Sequence, residues 1–266
     1  MNILNKIIEY KKAEVHKQKT KYGLSVKELE ASCRKLNPIR SFISVLETNA
    51  KLNKISLIAE VKKASPSKGI IRENFDPVSI ALSYQNAGAS AISVLTDEKF
   101  FQGSIQYLKD IKQVINLPVL RKDFIIDPFQ VYQTRLIGAD IILLIVSALE
   151  FPELQKYYNL AKEIGLDVLV EVHNKTEMEQ ALQLGARIIG INNRNLETFE
   201  VSLDNTINLI QNRVFPDKFI ISESGINNNS DVIFLKNNEV SGILVGESLM
   251  RQENIEKAVL NLLQSS

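Results

Sequence analysis

Charged and amide side chains recur at the ends of short apolar runs along this chain. The runs themselves are almost uniformly apolar, as strands buried on both faces of a sheet should be. A core does not carry this many desolvated charges unless a ligand or a reaction requires them, although any single Lys–Glu pair is equally well a structural ion pair. Amines and carboxylates transfer protons in enzymes. The pattern therefore predicts an acid–base site that comprises Glu60, Lys62, Lys122, Glu171, Asn192, Arg194 and Glu223.

Glycines after the last two apolar runs indicate an anion-binding site. Glycine lets backbone N–H groups approach an oxyanion, and the N-terminus of a following helix favours negative charge. Each of these glycines could equally be part of a turn. In the loop after the first run, Ser67 and Lys68 fit a plain surface loop as well as a phosphate contact. The predicted phosphate site comprises Ser65, Ser224, Gly225, Gly246 and Glu247.

Five residues beside these candidates have weaker interpretations. Arg121 and Asp123 flank a candidate lysine and should point toward the helical layer by alternation, which favours a structural ion pair. His173 lies two residues after a candidate glutamate and can face the same site, although nothing pairs it with a nucleophile. Phe101 and Phe124 could line an apolar pocket for a ring, and packing in the core is no less plausible.

From residue 56 onward, eight apolar runs alternate with helical stretches. The runs are 56–61, 91–96, 118–123, 139–146, 167–172, 187–192, 219–224 and 242–247. Eight βα units predict an α/β protein, a (β/α)8 TIM barrel; an open doubly wound sheet usually has about five or six strands. The active sites of such barrels lie at the carboxyl ends of the strands, where the candidate residues stand, and the amino ends of the runs show nothing comparable.

The first 50 residues predict helices and no strand. Apolar residues between Ile3 and Val15 recur at helical spacing, Gly23 could end that helix, and Ser25 with Glu28 fits a capping box for the next. Residues 1–50 are therefore expected to form an N-terminal helical extension packed on a catalytic barrel of residues 51–266, within a single domain overall.

Composition bounds the partners of this 266-residue chain. It has 32 Lys and Arg against 31 Asp and Glu, a net charge of +1, so no bulk field favours nucleic acid or an anionic membrane. The longest apolar stretch, 141–146, is far shorter than the ~20 residues of a membrane-spanning helix. Two histidines and one cysteine form no metal-binding pattern. A cytoplasmic protein that acts on a small molecule without a metal or other cofactor is expected.

Six segments together resemble the indole-3-glycerol phosphate synthase family of tryptophan biosynthesis. They occur in order over nearly the whole chain, on six different predicted βα loops. The signatures AExKxxSPS and RKDF are not shared by neighbouring phosphate-binding barrels. The segments are IAEVKKASPSKG (58–69), VLRKDFI (119–125), LVEVH (169–173), IGINNRNL (189–196), ISESGI (221–226) and ILVGESLM (243–250).

The resemblance implies a reaction and a role for each residue. The substrate would be 1-(2-carboxyphenylamino)-1-deoxyribulose 5-phosphate, which closes its ring, loses carbon dioxide and then loses water to give indole-3-glycerol phosphate. Lys122 would be the general acid of ring closure and Glu171 the acid–base residue of dehydration. Lys62 would lie near the substrate carboxylate and phosphate, and it competes with Lys122 for the acid roles. The supporting residues would be Glu60, Asn192 and Glu223; the substrate-binding residues Arg194, Phe101, Phe124 and Ser224; and the phosphate-binding residues Ser65, Gly225, Gly246 and Glu247.

Two departures and three alternatives accompany this interpretation. Asn195 replaces an Asp that is common in the family, and the carboxylate of Glu247 should point away from phosphate. A lysine among other cations in a partly desolvated rim should have a lowered pKa. The alternatives are a phosphoribosylanthranilate isomerase, for which a Cys would be expected in place of Glu60; a Schiff-base aldolase that reacts through Lys122 or Lys62; and a non-catalytic barrel. Association with other enzymes of the tryptophan pathway is also expected.

Overall fold

The computed structural model describes residues 3–195 and 198–264. Leu196, the last residue of the segment IGINNRNL, lies outside them. Eight parallel strands form a closed barrel in which each strand pairs with the next along the chain and the last pairs with the first. The predicted (β/α)8 barrel is confirmed. Its strands are β1 (Ser56–Val61), β2 (Ala91–Leu95), β3 (Val119–Lys122), β4 (Ile141–Ile145), β5 (Asp167–Val172), β6 (Ile188–Asn192), β7 (Phe219–Glu223) and β8 (Gly242–Val245).

Helices precede the barrel and alternate with its strands. Three short elements that follow the carboxyl ends of strands were not predicted: the helix Glu98–Phe101, the 3-10 turn Val146–Ala148, and a hairpin of Ala64–Ser65 with Gly69–Ile70. The single helix predicted over 248–264 is wrong, because Asn254 accepts a hydrogen bond from the Lys257 backbone N–H and begins a new helix. The helices are α1 (Ile3–Tyr22), α2 (Val26–Arg34), α3 (Phe42–Lys51), α4 (Pro77–Asn86), α5 (Glu98–Phe101), α6 (Ile105–Val114), α7 (Pro128–Leu136), α8 (Phe151–Glu163), α9 (Lys175–Leu184), α10 (Asp204–Ile210), α11 (Asn229–Asn237), α12 (Glu247–Met250) and α13 (Ile255–Leu263).

The amino-terminal end of the barrel is closed by α3. Phe42 and Leu46 are buried against the inward-facing apolar side chains of the strands. Asp167 Oδ2 accepts a hydrogen bond from the Phe42 backbone N–H at 2.7 Å, and Asp140 Oδ1 accepts one from the Arg40 backbone N–H at 2.8 Å. The expectation that this end carries no comparable polar residues is wrong, because these buried carboxylates attach the helical extension to the barrel.

The other two helices of the extension pack on the side and mouth of the barrel. The capping box of Ser25 and Glu28 is present at the start of α2, and Gly23 adopts a left-handed conformation after α1, both as predicted. Within the described residues, no helix is both long enough and apolar enough to cross a membrane. The division of the chain at residue 50 stays a prediction.

Lys11 of α1 is fully buried in an ion network that joins the extension to two βα loops. Its Nζ lies 2.7 Å from Asp97 Oδ2 and 2.9 Å from Asp123 Oδ1. Arg121 Nη2 pairs with Asp123 Oδ2 at 3.1 Å, which confirms the predicted structural pair. Burial alone would lower the pKa of Lys11, but the carboxylates Asp123 and Asp97 outweigh it and raise the pKa above its usual range. The network therefore attaches α1 to the loops after β2 and β3, and Asp123 directly follows the catalytic candidate Lys122.

Replacing Lys11 by methionine should cost about 3–5 kcal/mol of unfolding free energy, because it leaves buried Asp97 without its cation and buried Asp123 with Arg121 alone. Urea unfolding followed by circular dichroism measures the loss. Lys12→Met is the matched control, since Lys12 pairs with Glu9 on the exposed face of the same helix and should change stability by less than ~1 kcal/mol. Equal stability of the two variants would contradict the anchoring role of Lys11.

Candidate active site

A cavity of about 660 Å³ opens at the carboxyl ends of the strands. Residues of all eight strands contribute to its lining, together with the hairpin after β1 and the first two turns of α1. Alternate side chains of each strand point into the barrel. Those near the amino ends of the strands, next to α3, are apolar, and those at the carboxyl ends are polar and line the cavity. All of the predicted site residues line this cavity: Glu60, Lys62, Ser65, Phe101, Lys122, Phe124, Glu171, Asn192, Arg194, Glu223, Ser224, Gly225, Gly246 and Glu247.

Lys122 lies at the centre of the acid–base cluster. Its Nζ donates to Glu171 Oε2 at 2.6 Å and to Glu223 Oε2 at 3.0 Å. Burial would lower the pKa of Lys122, but the charges of Glu171, Glu223 and Glu60 outweigh it and raise that pKa above its usual range. The expectation of a lowered pKa is therefore wrong for this lysine. Its neighbours across the barrel are carboxylates rather than cations.

The two glutamates that share Lys122 differ in their surroundings. Burial raises the pKa of both, but Lys122 and His173 hold the pKa of Glu171 below its usual range. Asn192 Nδ2 also donates to Glu171 Oε1 at 3.0 Å. Glu223 Oε1 has no hydrogen-bond partner among the described residues, and burial raises the pKa of this group to about 7. One carboxylate is thus kept ionised while the other can carry a proton near neutrality, a division typical of acid–base sites.

Two glycines make room for the glutamates. A Cβ at Gly190 would lie 2.0 Å from Glu223 Oε1, and a Cβ at Gly246 would lie 2.3 Å from Glu60 Oε2. Glu60 near the end of β1 pairs with Lys62, which directly follows the strand, as their spacing predicts. Gly190 was missed by sequence reasoning. The available signal was a glycine inside a strand, which marks close approach of another group.

One end of the cavity is formed by the residues that follow β6, β7 and β8, and it contains two arginines. Ser224 and Gly225 both adopt left-handed conformations after β7, and Gly246 precedes α12. Glu247 Oε1 pairs with Arg251 Nη2 at 3.0 Å, and Glu247 Oε2 lies 4.0 Å from Arg194 Nη2. The carboxylate of Glu247 is therefore paired with cations beside the glycines. Asn227 and Asp231 also line this end and were not predicted.

The opposite end is apolar. The rings of Phe101 and Phe124 lie 6.0 Å apart with an interplanar angle of 35°. Three side chains of α1 complete this pocket. The sequence predicted that they lie on the apolar face of a helix, but helical spacing does not show which surface that face covers. They are Ile3, Leu4 and Ile7.

Within residues 3–195 and 198–264, no group of three or more His, Cys, Asp or Glu side chains is arranged to hold a metal ion. A closed (β/α)8 barrel with ion-paired lysines at its carboxyl mouth has the architecture of the barrel enzymes, whose active sites lie at that mouth. Solved structures share this fold at low identity. The 3-hexulose-6-phosphate synthase of Salmonella typhimurium superposes with a TM-score of 0.64 at 15% sequence identity. The match covers 79% of this chain and 97% of the synthase.

The chain belongs to the indole-3-glycerol phosphate synthase family. The family model of that description matches residues 4–262. The indole-3-glycerol phosphate synthase of Neisseria meningitidis serogroup C is 47% identical over 258 residues, 97% of this chain and 98% of the relative. The indole-3-glycerol phosphate synthase of Alkaliphilus metalliredigens is 46% identical over 260 residues, which are 98% of this chain and 97% of the relative. The chain is accordingly an enzyme, a carboxy-lyase of tryptophan biosynthesis, as the resemblance implied.

Proposed function

We propose that this cavity converts 1-(2-carboxyphenylamino)-1-deoxyribulose 5-phosphate to indole-3-glycerol phosphate, with Lys122 as the general acid of ring closure. The observation that carries the proposal is the position of Lys122 Nζ, held by Glu171 and Glu223 between the apolar and glycine-rich ends of one cavity. The substrate has a ring at one end and a phosphate at the other, so its reacting ketone comes to lie over this lysine.

Each end of the cavity suits one end of the substrate. The anthranilate ring packs between Phe101, Phe124 and the apolar side chains of α1. The phosphate accepts hydrogen bonds from Ser65 and from the backbone around Gly225 and Gly246, with Arg194 and Ser224 alongside. Lys62, paired with Glu60, reaches the ring carboxylate and orients it.

The charges of the site match the charges that the reaction develops. When the ring carbon that bears the carboxylate attacks the ketone, the oxygen gains negative charge, which the Lys122 ammonium stabilises and protonates. Loss of carbon dioxide restores the aromatic ring. Dehydration then needs a base for the proton on the carbon beside nitrogen and an acid for the departing hydroxyl. Glu171, kept ionised and positioned by Asn192, is suited to be the base.

Turnover of the proposed substrate tests the function as a whole. We expect indole fluorescence to appear with one carbon dioxide released per product. Ligand binding without turnover would favour a non-catalytic barrel. A borohydride-trapped adduct on Lys122 or Lys62 would favour a Schiff-base aldolase, and isomerisation of phosphoribosylanthranilate would favour the isomerase.

The substitution Gly225→Ala should weaken substrate binding. Gly225 has φ +84°, and a Cβ there would lie 2.5 Å from Val201 Cγ1, so alanine strains the backbone where the phosphate binds. Because that conformation costs ~1–2 kcal/mol for a residue with a Cβ, the loop should relax away from its binding shape, and we expect KM to rise about tenfold. Steady-state kinetics measure it.

Gly88→Ala is the matched control for Gly225→Ala, because Gly88 is also left-handed, at φ +94°, with open space around it. This variant should lose stability without a change in KM. An unchanged KM for Gly225→Ala would remove Gly225 from the phosphate site.

The family also suggests where the enzyme works. Its relatives are named for a biosynthetic reaction on a phosphorylated small molecule, which supports a cytoplasmic location. Association with other enzymes of the tryptophan pathway stays a prediction.

A further inference from the structure

His173 lies behind Glu171 and completes a chain of three ionisable side chains. Its Nε2 lies 3.2 Å from Glu171 Oε1, and its Nδ1 lies 2.9 Å from Glu177 Oε2. The contact with Glu171 is an ion pair without a directed hydrogen bond, since Nε2 makes none within the described residues. The His173 side chain is 10% exposed, so water screens these contacts little.

Glu177 is itself held in place. It stands in the first turn of α9, where its Oε2 accepts from the His173 backbone N–H at 2.8 Å. Its Oε1 accepts from Asn174 Nδ2 at 2.7 Å. Asn205 Nδ2 donates to the His173 carbonyl oxygen at 3.1 Å, so the backbone of the histidine is also fixed. Hydrogen bonds therefore hold both Glu177 and the backbone of His173 in place beside Glu171.

The asymmetry of the two glutamates at Lys122 needs a cause. Both carboxylates are buried and both accept from the same ammonium, at 2.6 and 3.0 Å. Glu171 differs from Glu223 in two contacts. One is with Asn192, which carries no charge, and the other is with His173, which lies between the carboxylates of Glu171 and Glu177. The other charged groups facing this cluster are Lys122 from β3, Glu223 from β7 and Glu60 from β1.

We infer that His173, held by Glu177, is a positioning residue that makes Glu171 the ionised base and leaves Glu223 as the carboxyl that carries the proton. This inference deepens the proposed function and rests on the role given there to Glu171. Burial would lower the pKa of His173, but the contacts with Glu171 and Glu177 outweigh it and raise the pKa to about 10. The imidazolium then gives Glu171 a second positive neighbour besides Lys122, whereas it does not contact Glu223.

The test is the pH dependence of single turnovers of the proposed substrate by His173→Gln. Loss of a cation beside a carboxylate raises its pKa by ~1–3 units. We therefore expect the acid limb of the rate to move upward by about one unit or more, so the rate at the acid end falls about tenfold or more and recovers at higher pH. KM should be unchanged. A structural role alone would lower the rate at every pH without moving the limb.

Two further measurements keep this test decisive. Glu177→Gln removes the outer carboxylate and should bring the pKa of His173 down toward its ordinary range, which ¹⁵N NMR of the imidazole follows directly. In the wild type that spectrum should show an imidazolium at pH 7, and a neutral ring would overturn the inference. His16→Gln, on the exposed face of α1, is the control and should leave the pH profile unchanged.

The outcome separates this inference from the proposed function. If Glu171→Gln is inactive while His173→Gln keeps the wild-type pH profile, only the role of His173 fails. If Glu171→Gln retains full activity, the assignment of Glu171 fails and the inference fails with it.

Discussion

Lys122→Met should lower kcat/KM by about 10³–10⁴-fold, the upper part of the range for a general acid that also stabilises the developing charge. The substitution removes the ammonium that lies 2.6 Å from Glu171 and 3.0 Å from Glu223. Without it, no cation stands under the ketone oxygen as that oxygen gains charge. The two carboxylates also lose their shared partner, so at least one of them takes up a proton.

Single-turnover indole fluorescence measures this loss, and circular dichroism with urea unfolding shows that the barrel is intact. Lys109→Met is the matched control, because Lys109 is an exposed lysine of α6 outside the cavity. It should retain wild-type kinetics.

Lys62→Met separates the two lysines of the cavity. Lys62 is paired with Glu60 and has no contact with Glu171 among the described residues, so its loss should raise KM more than it lowers kcat. If instead Lys62→Met has the larger loss in kcat, Lys62 rather than Lys122 is the acid of ring closure.

Glu171→Gln should lower the rate of indole formation by about 10²–10⁴-fold, the range for loss of a general base. Glutamine keeps the shape of the side chain, but its single acceptor oxygen can keep the contact with Lys122 or the one with Asn192 and not both, and it cannot take a proton from the substrate. The loss should fall on dehydration rather than ring closure. Carbon dioxide should therefore be released in a burst before any indole fluorescence appears.

Stopped-flow fluorescence and carbon dioxide release, measured on the same sample, follow the two steps separately. Glu163→Gln is the control, because Glu163 is an exposed residue at the end of α8. If carbon dioxide release is slowed as much as indole formation, Glu171 acts at or before decarboxylation, and its assignment to dehydration is wrong.

The alternation of side chains made several local features of this protein predictable. Parallel strands that are buried on both faces have few polar residues, so those at their carboxyl ends stand out. The same alternation predicted that Lys122 faces the site and that Arg121 pairs with Asp123, both as the structure has them. Eight repeated βα units predicted the closed barrel without the need for any single segment.

Long-range contacts were not predictable in the same way. Lys11 has the spacing of the buried face of α1, between Ile7 and Val15, but spacing does not show that it pairs with Asp97 and Asp123 from distant loops. The amino end of the barrel showed no signal because the residue that Asp167 binds, Phe42, is 125 positions away. Such pairings depend on how elements pack, which helical periodicity does not encode.

By itself the sequence determined the fold class, the rim to which the candidate residues belong and, through its resemblance to a family, the reaction. Only the tertiary structure decided the charge state of the site. Lys122 meets Glu171, 49 residues away, and Glu223, 101 residues away, across the closed barrel. A pKa depends on the charges within a few ångströms and on burial. Closure of the barrel brings those charges together, and spacing along the chain does not show which of them will meet.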